Sequence, residues 1–176
     1  MPTARTSAPP ADGHGNVDGY ASPEERPPLA SYGLLAALFN ALVAAALFLI
    51  SRSSRHELPE RVDVGDFLLI GVGSHKMSRL ISKDKVMSFA RAPFTELQDK
   101  GGPAELEEAP RGSGLRRAIG ELIVCPYCLG LWVVAAMTLG IAVAPRLTRF
   151  IASVFSALTV SDFLQIAYKA AEEKGL

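Results

Sequence analysis

The sequence predicts an all-α fold: an integral membrane helical bundle of about four transmembrane helices behind a disordered amino-terminal tail. Hydrophobic residues make up 49% of the 176-residue chain and the mean hydropathy is positive at +0.22, a combination above the usual soluble range. Two stretches, 33–50 and 126–144, contain no charged residue. A third apolar stretch, 150–168, follows the second after a turn too short for anything except an antiparallel return.

Residues 1–31 are rich in proline, glycine, alanine and serine and show no apolar periodicity, so they read as a disordered tail. Their first apolar run begins too late for a secretory signal, so the tail is expected to be retained. His14 there, and the more distant His56, read as solvated loop histidines. Residues 32–61 read as an extra transmembrane helix and a short loop. At about 1.5 Å per residue, "GLLAALFNALVAAALFLI" makes a helix of roughly 27 Å, near the hydrocarbon thickness. Asn40, in its middle, reads as packing glue.

The segment 62–81, "VDVGDFLLIGVGSHKMSRLI", is flanked by Asp63 and Asp66 before its apolar centre and by His75, Lys76 and Arg79 after it. It either spans with its basic side chains snorkelling or lies along the surface, and periodicity does not choose. Residues 82–117 form the one sizeable polar connection. In it Val86, Phe89 and Ala90 offer one turn of interfacial apolar face before Pro93, and "KGGPAELEEAPRGSG" reads as a flexible loop. Helix restarts at "LRRAIGEL" and leads into the second charge-free span. In the closing hairpin, small residues recur every fourth position: Ala136, Gly140 and Ala144, then Ser153, Ala157 and Ser161. Such spacing predicts close packing of those two helices. A short tail, 169–176, ends the chain.

Lysine plus arginine balances aspartate plus glutamate at 18 each, so no basic field points to nucleic acid. Charge is informative by location. Nine of the 18 basic residues fall between Lys76 and Arg117, which places loop 82–117, the two cysteines and the carboxyl terminus in the cytoplasm. The cell membrane is the expected location and the lipid bilayer the expected partner, with a homo-oligomer or a membrane protein partner left open.

The candidate site residues lie in two blocks. "KMSRLISKDKVMSFARAPF" contains Arg79, Leu80, Asp84, Arg91, Pro93 and Phe94, and "GELIVCPYCLGLWVVA" contains Gly120, Glu121, Leu122, Cys125, Cys128 and Trp132. In this order and spacing they resemble the two signature blocks of a family of small bacterial membrane proteins catalogued as domain of unknown function 1360. The resemblance covers about residues 62–168 and leaves the first span as an addition. It implies that the second segment is a true span, and it implies no activity.

Cys-Pro-Tyr-Cys is also the dithiol tetrapeptide of glutaredoxins, but nothing else in the chain reads as their sheet. Pro126 suits a first helical position, which puts Cys125 at the cap, where free amides favour thiolate. Cys128 follows one turn later, and Glu121, one turn earlier, could move protons or merely solvate the interface. Three readings stay open. Cys125 and Cys128 form a redox pair; or they supply half of a tetrahedral zinc site, completed by His75 or a second subunit; or they pack a helix entrance without chemistry. Asp162, inside the last span, is expected to pair with a basic group of the second helix, because an unpaired carboxylate there is costly. Trp132 and Tyr127 read as interfacial anchors. The chain therefore reads as a non-enzymatic scaffold or interaction component of the membrane, with thiol redox or zinc binding through Cys125 and Cys128 as the alternative.

Overall fold

A computed structural model describes residues 20, 27–53, 58, 61 and 63–175. The tail read at 1–31 lies outside these residues apart from 20 and 27–31, and His14 and His56 also fall outside. The order of elements is α1 (Leu29–Arg52), α2 (Val64–Lys83), a 3-10 turn (Lys85–Met87), α3 (Ser88–Arg91), β1 (Thr95–Lys100), β2 (Leu106–Pro110), α4 (Gly114–Val124), α5 (Pro126–Val143) and α6 (Pro145–Glu173). Helix α1 thus claims residues 29–31 from the tail.

Among the described residues three helices, α1, α5 and α6, are long and apolar enough to cross a membrane. Helix α2 is long enough at 20 residues but too polar to be counted with them. It is nonetheless the centre of the bundle. Its N-terminus is capped by the Asp63 carboxylate, which accepts from Gly65 N at 2.8 Å. Along α6 the contacts advance together: Asp66 meets Arg149, Ser156 donates to the Leu69 carbonyl at 3.1 Å, and Lys76 meets Asp162. The two helices therefore run parallel. Against α5 the order reverses, with Ser74 Oγ 3.3 Å from Met137 Sδ and Ser78 beside Gly130. Helix α1 runs parallel to α5, since Tyr32 reaches Glu121 and the Phe39 and Trp132 rings meet edge to face at 5.0 Å.

The apolar core is small. Ile70, Val133, Met137 and Ala152 form it, with Leu69, Leu129 and Phe155 packed against it. Large apolar side chains outside the core, such as Leu42 and Leu49 of α1 or Phe163 and Ile166 of α6, are exposed. In a bilayer these positions meet lipid, so helix association there rests on close packing and polar contacts.

Close packing does occur, most extensively between α2 and α6. A Cβ on Gly73 would stand 2.9 Å from the Ala152 carbonyl oxygen and 3.2 Å from its Cα. The buried face of α6 is Thr148, Ala152 and Thr159. Of the small residues expected to join α5 to α6, Ala136, Ser153 and Ala157 are exposed, and Gly140 alone makes a tight approach, to Thr148. Helix α2 shares the inner face of α6 with α5, because Gly73 lets the α6 backbone come closer than alanine or serine could.

The all-α expectation needs correction at residues 95–110, an antiparallel hairpin whose turn and second strand fall in the stretch 100–114 read as a flexible loop. Glycine and proline are present, but they close the turn: Gly101 N bonds the Glu105 carbonyl, and Glu105 N bonds the Gly102 carbonyl. "TELQDK" and "LEEAP" carry no apolar alternation, the usual mark of a strand. A two-stranded hairpin is marginal alone, so its stability comes from what it touches.

The close approach at Gly73 gives a direct test. Gly73→Leu should push α2 from α6 and destabilise the bundle by about 1–3 kcal/mol, read as a lowered thermal unfolding midpoint in detergent. An unchanged midpoint would contradict the assignment of that contact.

Candidate functional site

The end of α2 and the hairpin are joined by a ladder of opposite charges. Arg79 and Lys83 stand one helical turn apart on α2, separated by about 6 Å along the axis. Glu105, just before β2, and Glu107 within it stand two residues apart, a spacing of about 6.6 Å in extended chain. The rises match, and both rungs form. Arg79 donates two hydrogen bonds of 2.9 Å to Glu105, and Lys83 meets Glu107 at 2.8 Å.

Beneath the ladder lies a buried group centred on Arg91, which is 1% exposed. Its Nη1 donates to the Ile81 carbonyl at 2.8 Å and the Asp84 carbonyl at 3.0 Å. These oxygens belong to the carboxyl end of α2, where carbonyls lack helical partners and the helix dipole favours a cation. Its Nε and Nη2 bind the Glu108 carboxylate in a fork, at 3.1 and 2.8 Å. The Thr95 hydroxyl stands 2.6 Å from Glu108 Oε2 and 2.9 Å from the Arg91 carbonyl, donating to one at a time. Burial by itself pushes the Glu108 carboxyl up. Hydrogen bonds from Arg91 and Thr95, with the Arg91 and Lys83 charges, outweigh burial and hold it below the ordinary value.

Helix α4 covers the other side. A Cβ on Gly120 would come within 2.6 Å of the Phe94 carbonyl oxygen and 2.9 Å of Pro110 Cβ, so only glycine lets α4 lie this close. The Pro93 carbonyl accepts from Arg116 Nε and Nη2 at 2.9 and 2.7 Å, and the Phe94 carbonyl from Arg111 N at 3.0 Å. The Asp84 carboxylate caps the 3-10 turn through Val86 N at 2.8 Å. Arg79, Asp84, Arg91, Pro93, Phe94 and Gly120 therefore converge on one module.

The second block sits where α4 gives way to α5. Cys125 is the cap of α5, and its Sγ accepts from Cys128 N at 3.1 Å. The two sulfurs are at disulfide-bonding distance, with their Cα atoms 5.3 Å apart. Cys128 and Tyr127 are exposed and Cys125 is half-buried. Both oxygens of Glu121 are engaged, one by Arg117 Nε at 2.9 Å and the other by the Tyr32 hydroxyl, so Glu121 ties α1 to α4. Among the described residues no group of three His, Cys, Asp or Glu side chains could hold a metal ion. A zinc ion on the two sulfurs would need ligands from elsewhere. Trp132 packs on Phe39 of α1.

Two ion pairs cross the bundle. Asp162 meets Lys76 at 2.5 Å, and Asp66 accepts two bonds of 2.8 Å from Arg149. The partners Arg149, Tyr32, Phe39, Thr95, Glu105, Glu107 and Glu108 were not singled out in the sequence. For Glu105 and Glu107 a signal was present: an acidic i, i+2 pair following a basic i, i+4 pair.

A family profile described as protein of unknown function (DUF1360) matches residues 69–168. Among curated proteins, "Sporulation protein YjcA" of Bacillus subtilis (strain 168) is 30% identical over 87 residues, covering 48% of this chain and 74% of that protein. "UPF0713 protein YngL" of the same organism is 25% identical over 91 residues, covering 50% of this chain and 66% of that one. No solved structure matches the chain.

Two measurements test the site. Because folding lowers the affinity of Glu108 for a proton, its contribution to stability is complete above the carboxylate's unfolded value and lost as pH falls through the lower folded one. Glu108→Gln should remove that acid-side dependence. It should also cost about 3–5 kcal/mol at neutral pH by leaving Arg91 uncompensated, seen in thermal unfolding against pH. A variant with wild-type stability and pH profile would contradict the buried pair. In a double-mutant cycle of Lys76→Met and Asp162→Asn, a coupling on the order of 0.5–3 kcal/mol is expected. Additive effects would contradict the pairing.

Proposed function

The chain belongs to the DUF1360 family, whose function is unknown, and from that premise we propose that it is a four-span membrane protein presenting a rigid cytoplasmic module as a non-enzymatic scaffold. One observation carries this reading. Most charged residues singled out near the membrane are engaged by the chain itself in ion pairs: Lys76 by Asp162, Asp66 by Arg149, Arg79 by Glu105, Arg91 by Glu108, and Glu121 by Arg117. These side chains hold helices and hairpin together. The outer surface of β1, with Glu96, Leu97 and Asp99 exposed, is left to meet a partner.

The four-span count is supported by direction. Helices α1 and α5 run one way and α2 and α6 the other, the alternation that successive crossings produce. Val64, Phe67 and Leu68 of α2 also face outward, where only lipid would favour them. In this arrangement the start of α1, the hairpin, the cysteines and the end of α6 share one side. The cluster of basic residues between Lys76 and Arg117 makes that side cytoplasmic.

Reporter fusions at the two termini should both read cytoplasmic; an extracellular carboxyl terminus would overturn the orientation, and an extracellular amino terminus the span count. For the scaffold role, a photo-crosslinker at Leu97 should give a discrete protein adduct in cells. Glu96→Lys with Asp99→Lys should abolish that adduct while changing stability by less than about 0.5 kcal/mol. Adducts to lipid alone would contradict the scaffold role.

A further inference from the structure

We propose that Cys125 and Cys128 form a reversible disulfide that exchanges electrons with a cytoplasmic thiol, and that the exchange has a fixed direction: the partner attacks Cys128 and Cys125 leaves. This goes beyond a scaffold role, and it rests on the proposed orientation only for the compartment that supplies the thiol.

Two observations carry it. The cysteines are paired, yet the loop they close contains only Pro126 and Tyr127. So short a loop restrains the unfolded chain little, and α5 already has Pro126 at its first position. The bond therefore has little structural work at this helix start. On the cytoplasmic side, where thiols are kept reduced, a disulfide of this kind is transient and chemical. The second observation is an asymmetry. Cys128 is exposed and its neighbour Tyr127 is 91% exposed, whereas Cys125 is half-buried with its sulfur turned to the Cys128 amide at 3.1 Å. An incoming group thus reaches Cys128 first. The sulfur that must accept negative charge is Cys125, which has an amide donor and the N-terminus of an 18-residue helix to stabilise it.

The step balances as follows. A thiolate of the partner attacks Cys128 Sγ, the bond to Cys125 breaks, and Cys125 departs with the electron pair. A second partner thiolate then displaces Cys128 from the mixed disulfide. Each released cysteine takes up one proton, matching those lost when the partner thiols ionised. Two electrons reduce the pair to dithiol, and the partner is oxidised to a disulfide. Run backwards, a partner disulfide reoxidises the chain through the same mixed disulfide on Cys128. The junction between α4 and α5, which Glu121 links to α1, would then register the thiol balance of its compartment.

The test uses the full-length protein in detergent with glutathione as the probe. The oxidised chain is exposed briefly to reduced glutathione, quenched in acid and tagged with maleimide, and the adducts are located by fragmentation mass spectrometry. Glutathione on Cys128 with maleimide on Cys125 should exceed the reverse arrangement by about tenfold, the sense set by access and by leaving-group stability. Reduced dithiothreitol should open the bond completely, and after its removal oxidised glutathione should restore it. Adducts divided evenly between the cysteines would overturn the direction. A pair that stays oxidised in dithiothreitol, or never reoxidises, would overturn the exchange itself. In intact cells whose disulfides have first been reduced with dithiothreitol, a membrane-impermeant maleimide should not tag Cys128. Tagging from outside would overturn the orientation while leaving the adduct preference standing, so the two failures can be told apart.

Discussion

The guanidinium of Arg91 is the interaction on which the non-membrane part of the chain depends. It meets two demands with one group: carbonyls at the end of α2, that of Ile81 above all, take a donor, and the Glu108 carboxylate, buried in β2, needs a cation. Neither strand offers an apolar face of its own. Without Arg91 the hairpin would retain its exposed rungs, Arg79 with Glu105 and Lys83 with Glu107, and surface pairs of that kind contribute only about 0–1 kcal/mol each. The close seat of α4 at Gly120 depends on the same geometry, since Phe94 and Pro110, which Gly120 touches, border the Arg91 turn and the end of β2.

Helix α2 carries the same logic into the bundle. A helix with Asp66, Lys76 and Arg79 on it is a poor candidate for insertion alone. Packed between α5 and α6 it presents Gly73 to Ala152 and Ser74 to Met137, and its two inward charges find partners on α6. Polar groups facing a partner helix are tolerated where the same groups facing lipid are not. The apolar core is correspondingly small, and the charge pairs help to fix α2 in register against α6.

How much of this could be read from the sequence varies with how local the cause is. Helices α1 and α5 were legible because an uninterrupted charge-free run is itself the physical requirement for crossing a bilayer. Cys125 as the cap of α5 was legible because Pro126 fixes the first helical position. The hairpin was not. Its strands are polar, and what orders them are pairs 17 to 26 residues apart in sequence. Glycine and proline near it signalled a loop when they mark a turn. Small residues in α5 and α6 gave one close contact between those helices, Gly140 against Thr148, but not the backbone approach of α6 to Gly73, because that glycine lies on α2. For Asp162 the partner helix could be named in advance; that Lys76 rather than Arg79 reaches it depends on Arg79 being drawn to Glu105.

The central claim is that charges near the membrane are used to build a rigid module. Hydrogen exchange of the backbone amides of β1 and β2, in the unmodified protein in lipid nanodiscs, tests it most directly. The account predicts that cross-strand amides of the hairpin are protected as strongly as those of the last turn of α2, because Arg91 opens both together. Exchange of the hairpin at the rate of an unstructured peptide, with α2 still protected, would contradict it.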